Sequence, residues 1–133
     1  MKIRVTVIED NSADVFLLEH ALKTAGLNFD IQHFDDGAKA RDYFRAPNLD
    51  PPHLLLLDLN LPCVDGIELL RVIRQQPSFD GIPVIVWSSS QSPMERAALA
   101  AFKAVRFIVK PSELDGFLQI GGMIREVLSA ESK

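Results

Sequence analysis

Five short apolar runs alternate with five longer stretches of helical periodicity, and this alternation restricts the fold more than any other feature of the sequence. The runs lie at 3–8, 29–34, 54–57, 84–87 and 107–109. Strands that alternate with helices pair in parallel through right-handed crossovers, and the helices then cover both faces of the sheet. The sequence therefore predicts an α/β fold with a five-stranded parallel sheet and helices on both faces.

Local signals mark where the helices begin and end. The first is capped by Asn11 or Ser12 and stops at Gly26, and Pro77 follows the third. The other predicted spans are 38–45, 66–76, 94–102 and 113–128, with Ser112 as the cap of the fifth. Short loops connect these elements, so we expect one domain over 1–133 without an output domain.

Composition narrows the class of protein. The 133 residues are 47% hydrophobic and 24% charged, which is typical of a globular domain. A net charge of −4 argues against a nucleic-acid surface. No apolar run approaches the roughly 20 residues of a membrane span, and the one cysteine, Cys63, fits a reducing compartment. We therefore expect a cytoplasmic protein that binds neither nucleic acid nor membrane.

Polar side chains follow four of the predicted strands, where ligands of parallel sheets bind. Glu9 and Asp10 follow the first strand, Asp58 the third, and Lys110 the fifth, and Ser88 stands at the end of the fourth. Three neighbouring carboxylates repel one another, and a hard divalent cation with oxygen ligands relieves that repulsion. The pattern favours a Mg²⁺ site at one edge of the sheet.

The same residues suit phosphoryl transfer, which depends on positioning and charge neutralisation. The carboxylate of Asp58 is the candidate nucleophile, which would form an acyl phosphate. Lys110 and Ser88 would neutralise and hydrogen-bond the transferred group. Because Ser89 and Ser90 follow directly, only the strand register selects Ser88 among the three hydroxyls.

Four segments together resemble the receiver domain of two-component response regulators. They are "VIEDN" at 7–11, "LLLLDLNLPCVDG" at 54–66, "IPVIVWSSS" at 82–90 and "FIVKP" at 107–111. The resemblance covers the whole chain and implies a flavodoxin-like strand order 2-1-3-4-5. Three segments also resemble the stand-alone subgroup that includes phytochrome-associated response regulators: "EDNSADVFLLEHAL" at 9–22, "LLDLNLP" at 56–62 and "KPSELDGFLQI" at 110–120. Trp87 departs from the pattern, which usually has a smaller aliphatic residue there.

The resemblance implies a role for each matching position. Glu9, Asp10 and Asp58 match the carboxylates that hold Mg²⁺, and Asn60 matches a position whose backbone carbonyl ligates the metal. Asp58 matches the phosphorylated aspartate. Lys110 and Ser88 match residues that contact the phosphoryl group. Phe107 matches an aromatic residue that switches between exposed and buried rotamers, and Pro111 matches a residue that follows the lysine through an unusual peptide bond.

What the resemblance implies is a single-domain receiver that accepts a phosphoryl group from a histidine kinase or phosphotransfer protein. Phosphorylation then changes a surface that binds a downstream target. The protein is not expected to be an enzyme beyond its own aspartyl phosphorylation and dephosphorylation, because it has neither a rim histidine nor a nucleotide-binding loop.

Structural and functional alternatives remain open from the sequence. Asp58 fits a turn or helix cap, Glu9 and Asp10 fit acids that complement a helix dipole, and Phe107 fits a partly buried strand residue. A haloacid-dehalogenase-like Mg²⁺-dependent phosphatase also uses an aspartate nucleophile, although its D-x-D motif needs an acid where Asn60 stands. A phosphorylation-independent interaction module is the third possibility.

The fifth helix is apolar over more than one face, whereas a helix that only covers a sheet needs one stripe. The apolar residues are Phe117, Leu118, Ile120, Met123, Ile124, Val127 and Leu128. Gly121 and Gly122 permit close backbone approach at a cost of roughly 1 kcal/mol each relative to alanine. We therefore expect a partner or homodimer surface at helix 4, strand 5 and helix 5.

Overall fold

The computed structural model describes residues 2–89 and 92–131, and these form alternating strands and helices. The strands are β1 (Ile3–Ile8), β2 (Phe29–Phe34), β3 (Leu54–Asp58), β4 (Val84–Ser88) and β5 (Val105–Val109). The helices are α1 (Ser12–Thr24), α2 (Gly37–Phe44), α3 (Gly66–Arg74), α4 (Pro93–Leu99) and α5 (Leu114–Glu131), with a short 3₁₀ helix at Pro77–Phe79. The sequence prediction of five strands and five helices is confirmed.

All strand pairs are parallel, and the sheet order is β2-β1-β3-β4-β5. The predicted fold class and strand order are therefore confirmed. Side chains alternate across the sheet, so Leu55 and Leu57 pack on the side of α2, α3 and α4. Leu54 and Leu56 pack on the side of α1 and α5. Two apolar cores result, one on each face.

Helix boundaries follow local capping chemistry. Asn11 Oδ1 accepts hydrogen bonds from the amides of Ala13 and Asp14, so Asn11 rather than Ser12 is the cap of α1. Asp65 caps α3 in the same way. Several predicted bounds were displaced by one to three residues: α3 ends at Arg74 and α4 at Leu99, α5 begins one residue after the expected start, and β5 begins two residues before Phe107.

Edge strand β2 differs from the expectation of a continuous apolar run. Its residues alternate between half-buried and exposed along most of its length, and none is fully buried. An edge strand is covered less completely than a central one, so β2 tolerates Asp30 and Gln32 among its apolar residues.

The wide apolar face of α5 is used within the chain. Phe117, Ile124 and Val127 are buried against the sheet and α1. A Cβ at Gly121 would lie 2.4 Å from the Ala21 carbonyl oxygen of α1, whereas a Cβ at Gly122 would meet nothing within 4 Å. The apolar breadth of α5 is therefore accounted for by its packing on the sheet and on α1, and the partner surface expected there stays a prediction.

None of the helices in the described part of the chain combines the length and apolar content that crossing a membrane requires.

Candidate functional site

The strand order brings the predicted site residues to one edge of the sheet. Strands β1, β3, β4 and β5 are consecutive in the sheet, and their carboxyl ends point the same way. Asp58 ends β3 and Ser88 ends β4, while Glu9 and Asp10 follow β1 and Lys110 follows β5. The five side chains therefore share one rim.

Three carboxylates form a compact cluster on this rim. One oxygen from each of Glu9, Asp10 and Asp58 lies within 4.8 Å of the others. Glu9 and Asp58 are buried, with exposed fractions of 0% and 2%, whereas Asp10 is exposed. Carboxylate oxygens that converge from one open side suit a hard divalent cation that keeps some of its water.

Lys110 lies among these acids and neutralises part of their charge. Its Nζ is 3.0 Å from Glu9 Oε2 and 3.3 Å from Asp58 Oδ2. A third carboxylate, Asp14 of α1, is 2.9 Å away. Partial burial alone lowers the pKa of Lys110, but hydrogen bonds to Asp14 and Glu9 outweigh it and raise the pKa above its ordinary value.

Glu9 is held by donors on both carboxylate oxygens. The indole Nε1 of Trp87 donates to Oε2 at 2.8 Å, and the amide of Asn11 donates to Oε1 at 3.1 Å. Burial raises the pKa of Glu9 to about 7; the hydrogen bond from Lys110 opposes this rise and the negative charge of Asp58 reinforces it. Near neutral pH this buried acid is therefore close to its protonation midpoint.

Asn60 connects the nucleophile candidate to the serine of β4. Its amide donates to Asp58 Oδ1 at 2.8 Å, and its side-chain Oδ1 accepts from Ser88 Oγ at 2.8 Å. The same Oδ1 accepts from the amide and hydroxyl of Ser89, at 3.1 and 3.3 Å. Ser88 is thus the buried hydroxyl at the strand end, and Ser90 lies outside the described residues.

Phe107 is half-buried in β5, and the Arg96 guanidinium of α4 lies 4.7 Å from its ring centroid. The ring packs against the core on the α4 side. There is no cis peptide bond among the described residues, so the unusual bond expected between Lys110 and Pro111 is an ordinary trans peptide.

Asp14 was missed by sequence reasoning, and the contact of Trp87 with Glu9 was not predicted. Asp14 occupies the first turn of α1, and because α1 starts directly after β1, that turn lies at the same rim as Lys110. The position of Asp14 in the first turn after β1 could therefore have indicated from the sequence that it lies near the site. Trp87 reaches Glu9 over 78 residues of sequence, and no local pattern indicates that contact.

The chain was compared with known proteins. The family model of the response regulator receiver domain matches residues 5–120. This chain belongs to that family. The receiver prediction is therefore confirmed, and the match favours it over the phosphatase.

Individual relatives agree with this assignment. The receiver is 36% identical over 92 residues to response regulator Rcp1 of Synechocystis sp., an alignment that covers 66% of this chain and 63% of Rcp1. The aligned part is thus less than two thirds of that relative's length. The phosphorylated cyanobacterial phytochrome response regulator RcpA superposes with a TM-score of 0.84 at 30% identity, covering 100% of this chain and 98% of RcpA.

The Mn²⁺-bound form of Rcp1 superposes with a TM-score of 0.74 at 29% identity, covering 91% and 90% of the two chains. The predicted similarity to phytochrome-associated response regulators is confirmed by these structures. Receiver domains are signalling domains of two-component systems, in which they interact with histidine kinases or phosphotransfer proteins. The acid cluster of this receiver provides oxygen ligands for a divalent cation.

Proposed function

We propose that this receiver accepts a phosphoryl group on Asp58 from a phosphohistidine of a sensor kinase or phosphotransfer protein. The observation that carries the proposal is the position of Asp58, whose Oδ2 is 3.3 Å from Lys110 and whose carboxylate clusters with Glu9 and Asp10. A nucleophile between a fixed cation and a cation site is what transfer to a carboxylate requires.

In the proposed step an Asp58 oxygen forms a P–O bond while the P–N bond of the phosphohistidine breaks. The electron pair of that bond returns to the ring nitrogen, and because the other ring nitrogen of the donor carries a proton, the histidine leaves as neutral imidazole. Lys110 neutralises charge on the transferred group. Ser88 exchanges its hydrogen bond to Asn60 for one to a phosphoryl oxygen. No other turnover is assigned to the protein.

Mg²⁺ is the cation proposed for this site, with Glu9, Asp10, Asp58 and the backbone carbonyl of Asn60 as its protein ligands. Their all-oxygen donor set and the exposure of Asp10 support this choice. The Mn²⁺-bound form of the relative Rcp1 supports a divalent cation in general. When bound, the ion offsets charge between the carboxylates and the phosphoryl oxygens.

Phosphorylation is proposed to alter the surface of α4, β5 and α5, with Phe107 as the switch residue. The partly exposed position of the Phe107 ring, next to the Arg96 guanidinium, supports this choice of residue. The altered surface would bind a downstream protein in the cytoplasm.

Homodimerisation through α4, β5 and α5 is the second proposed use of this surface. Each element has an exposed apolar side chain there: Met94, Val109 and Leu114. Sedimentation of the phosphorylated receiver tests it, with Met94→Lys together with Leu114→Lys expected to shift the dimer to monomer. Phe16→Lys, which alters an exposed ring on α1, is the matched control. A phosphorylated wild type that stays monomeric at high concentration contradicts the dimer.

Intact-mass spectrometry tests the phosphoacceptor. After incubation with phosphoramidate and Mg²⁺, wild type should gain one phosphoryl mass and Asp58→Asn none. Asp65→Asn is the control, because asparagine preserves the cap of α3 and Asp65 lies in the loop after β3. Phosphorylation of Asp58→Asn to the wild-type extent would reject Asp58 as the acceptor.

A further inference from the structure

Trp87 is the largest fully buried side chain in the described chain, and it has a polar contact with the site. Its indole N–H donates to Glu9 Oε2 at 2.8 Å, wholly within the interior. The other side of the residue is apolar, with the ring of Phe117 at 5.8 Å in an edge-to-face arrangement. We propose that Trp87 is a positioning residue that fixes the orientation of the Glu9 carboxylate toward the cation.

The indole orients the Glu9 carboxylate because its N–H donates to one particular oxygen, Oε2. Oε1 already accepts from the Asn11 amide, and Lys110 contacts both oxygens. Lys110 is shared with Asp14 and Asp58, so its contacts and the Asn11 bond leave the carboxylate free to turn about its last torsion angle, which is broad in glutamate. The indole donor on Oε2, from a ring locked against Phe117, defines that angle. Strand register supplies the anchor, because Trp87 pairs with Asp58 across β3 and β4.

A donor that orients a cation ligand without touching the cation still determines affinity, and loss of such a donor typically weakens binding 10–100-fold. Trp87 also lies beside Lys110, whose Nζ is 5.3 Å from the indole centroid. Two of the charged groups next to Asp58, Glu9 and Lys110, therefore contact this one indole. The inference rests on the proposed function, because it requires that Glu9 contribute to a divalent-cation site.

Calorimetric titration with Mn²⁺ tests the role in the intact chain. Trp87→Phe retains an aromatic ring and removes the N–H, so the Kd for Mn²⁺ should rise roughly tenfold. Phe79→Leu is the matched control, because it removes a fully buried ring from the core on the opposite face of the sheet and leaves Trp87, its donor and its contact with Phe117 in place. It should lower the melting temperature with little change in Kd. Equal weakening in both variants would indicate a general packing effect and would overturn the inference.

A second measurement needs no change at Trp87. The protein has one tryptophan, so its ¹⁵N spectrum has a single indole N–H signal. The substitution Glu9→Gln should shift that signal, and so should titration of wild type with Mg²⁺ in the absence of Mn²⁺. The substitution Glu68→Gln, on the exposed face of α3, should not shift it. An indole signal unmoved by Glu9→Gln would overturn the inference even if wild type binds Mn²⁺ and is phosphorylated. Wild type that neither binds Mn²⁺ nor gains phosphoryl mass would instead overturn the proposed function itself.

Discussion

Lys110 lies closer to Asp14 than to Asp58: its Nζ is 2.9 Å from Asp14 Oδ2 and 3.3 Å from Asp58 Oδ2. The ammonium group is therefore divided between the first turn of α1 and the rim acids. A phosphoryl group that draws Lys110 toward Asp58 must compete with Asp14. The contact couples the β5–α5 connection to α1.

Removal of Lys110 should expose the repulsion among the acids. We expect Lys110→Met to lower the free energy of unfolding by roughly 2–4 kcal/mol at pH 8 without divalent cations, because buried carboxylates lose their counter-charge. The loss should be smaller at pH 5, where Glu9, with a pKa of about 7, is protonated. Urea denaturation at both pH values measures it, and millimolar Mg²⁺ should restore part of the loss at pH 8.

The matched control is Lys103→Met, which removes a lysine paired with Asp80 at 3.4 Å on the exposed surface. Solvent screens that pair, so the expected loss is below about 1 kcal/mol at either pH. Similar losses for both lysines would show that the rim acids do not depend on Lys110.

The raised pKa of Glu9 predicts a specific pH dependence of stability. Between the ordinary value of 4.5 and about 7, the folded chain retains a proton on Glu9 that the unfolded chain releases. The free energy of unfolding therefore falls as pH rises through this window, by roughly 2–3 kcal/mol from this group, and is constant above it.

The difference between wild type and Glu9→Gln isolates this contribution, since glutamine does not titrate. Without divalent cations, the free energy of unfolding of Glu9→Gln should rise relative to that of wild type by roughly 2–3 kcal/mol between pH 4.5 and pH 8. Denaturation curves at several pH values measure the difference. A difference that does not vary with pH would contradict the raised pKa.

Much of the rim could be predicted because it follows from topology. Glu9, Asp58 and Lys110 each come directly after an apolar run, and parallel strands direct their carboxyl ends to one edge. The partners of these residues could not be predicted in the same way. The Trp87 indole could have pointed to either layer of helices, and only the register of β4 directs it to the α1 and α5 side.

The glycine pair of α5 offers a stringent test of the α1–α5 packing. We expect Gly121→Ala to destabilise the protein by several kcal/mol, because its Cβ would lie 2.4 Å from a backbone oxygen of α1 that cannot give way cheaply. Gly122→Ala meets nothing within 4 Å and should stabilise by up to about 1 kcal/mol through helix propensity. If α1 and α5 pack in this way, thermal denaturation should show a lower melting temperature for Gly121→Ala and a higher one for Gly122→Ala.

What covers the apolar face of α5 could not be predicted from sequence for a physical reason. Helical periodicity shows how wide an apolar face is, but it does not show whether a sheet, a helix of the same chain or another molecule covers it. Ala21 and Gly121 meet because both are small, and their separation along the chain carries no local signal.

Phosphoryl-like ligands should move the Phe107 ring. We expect beryllofluoride with Mg²⁺ to shift the ring resonances of Phe107 in selectively labelled protein as the ring changes its contact with Arg96. Phe79, fully buried beneath α3, provides the internal control and should shift little. Asp58→Asn should abolish the Phe107 response, and an unchanged Phe107 signal in wild type would remove it as the switch.

The pairing of Asp58 with Trp87 across β3 and β4 makes phosphorylation depend on correct strand register. A slip of β3 by one residue would turn each of its side chains to the opposite face of the sheet. The same slip would then displace Asp58 from the rim and the leucines of β3 from their places in the two cores. Partly misassembled chains would therefore be chemically inert as well as unstable. Uptake of label from a small phosphodonor would count the correctly assembled molecules in a preparation.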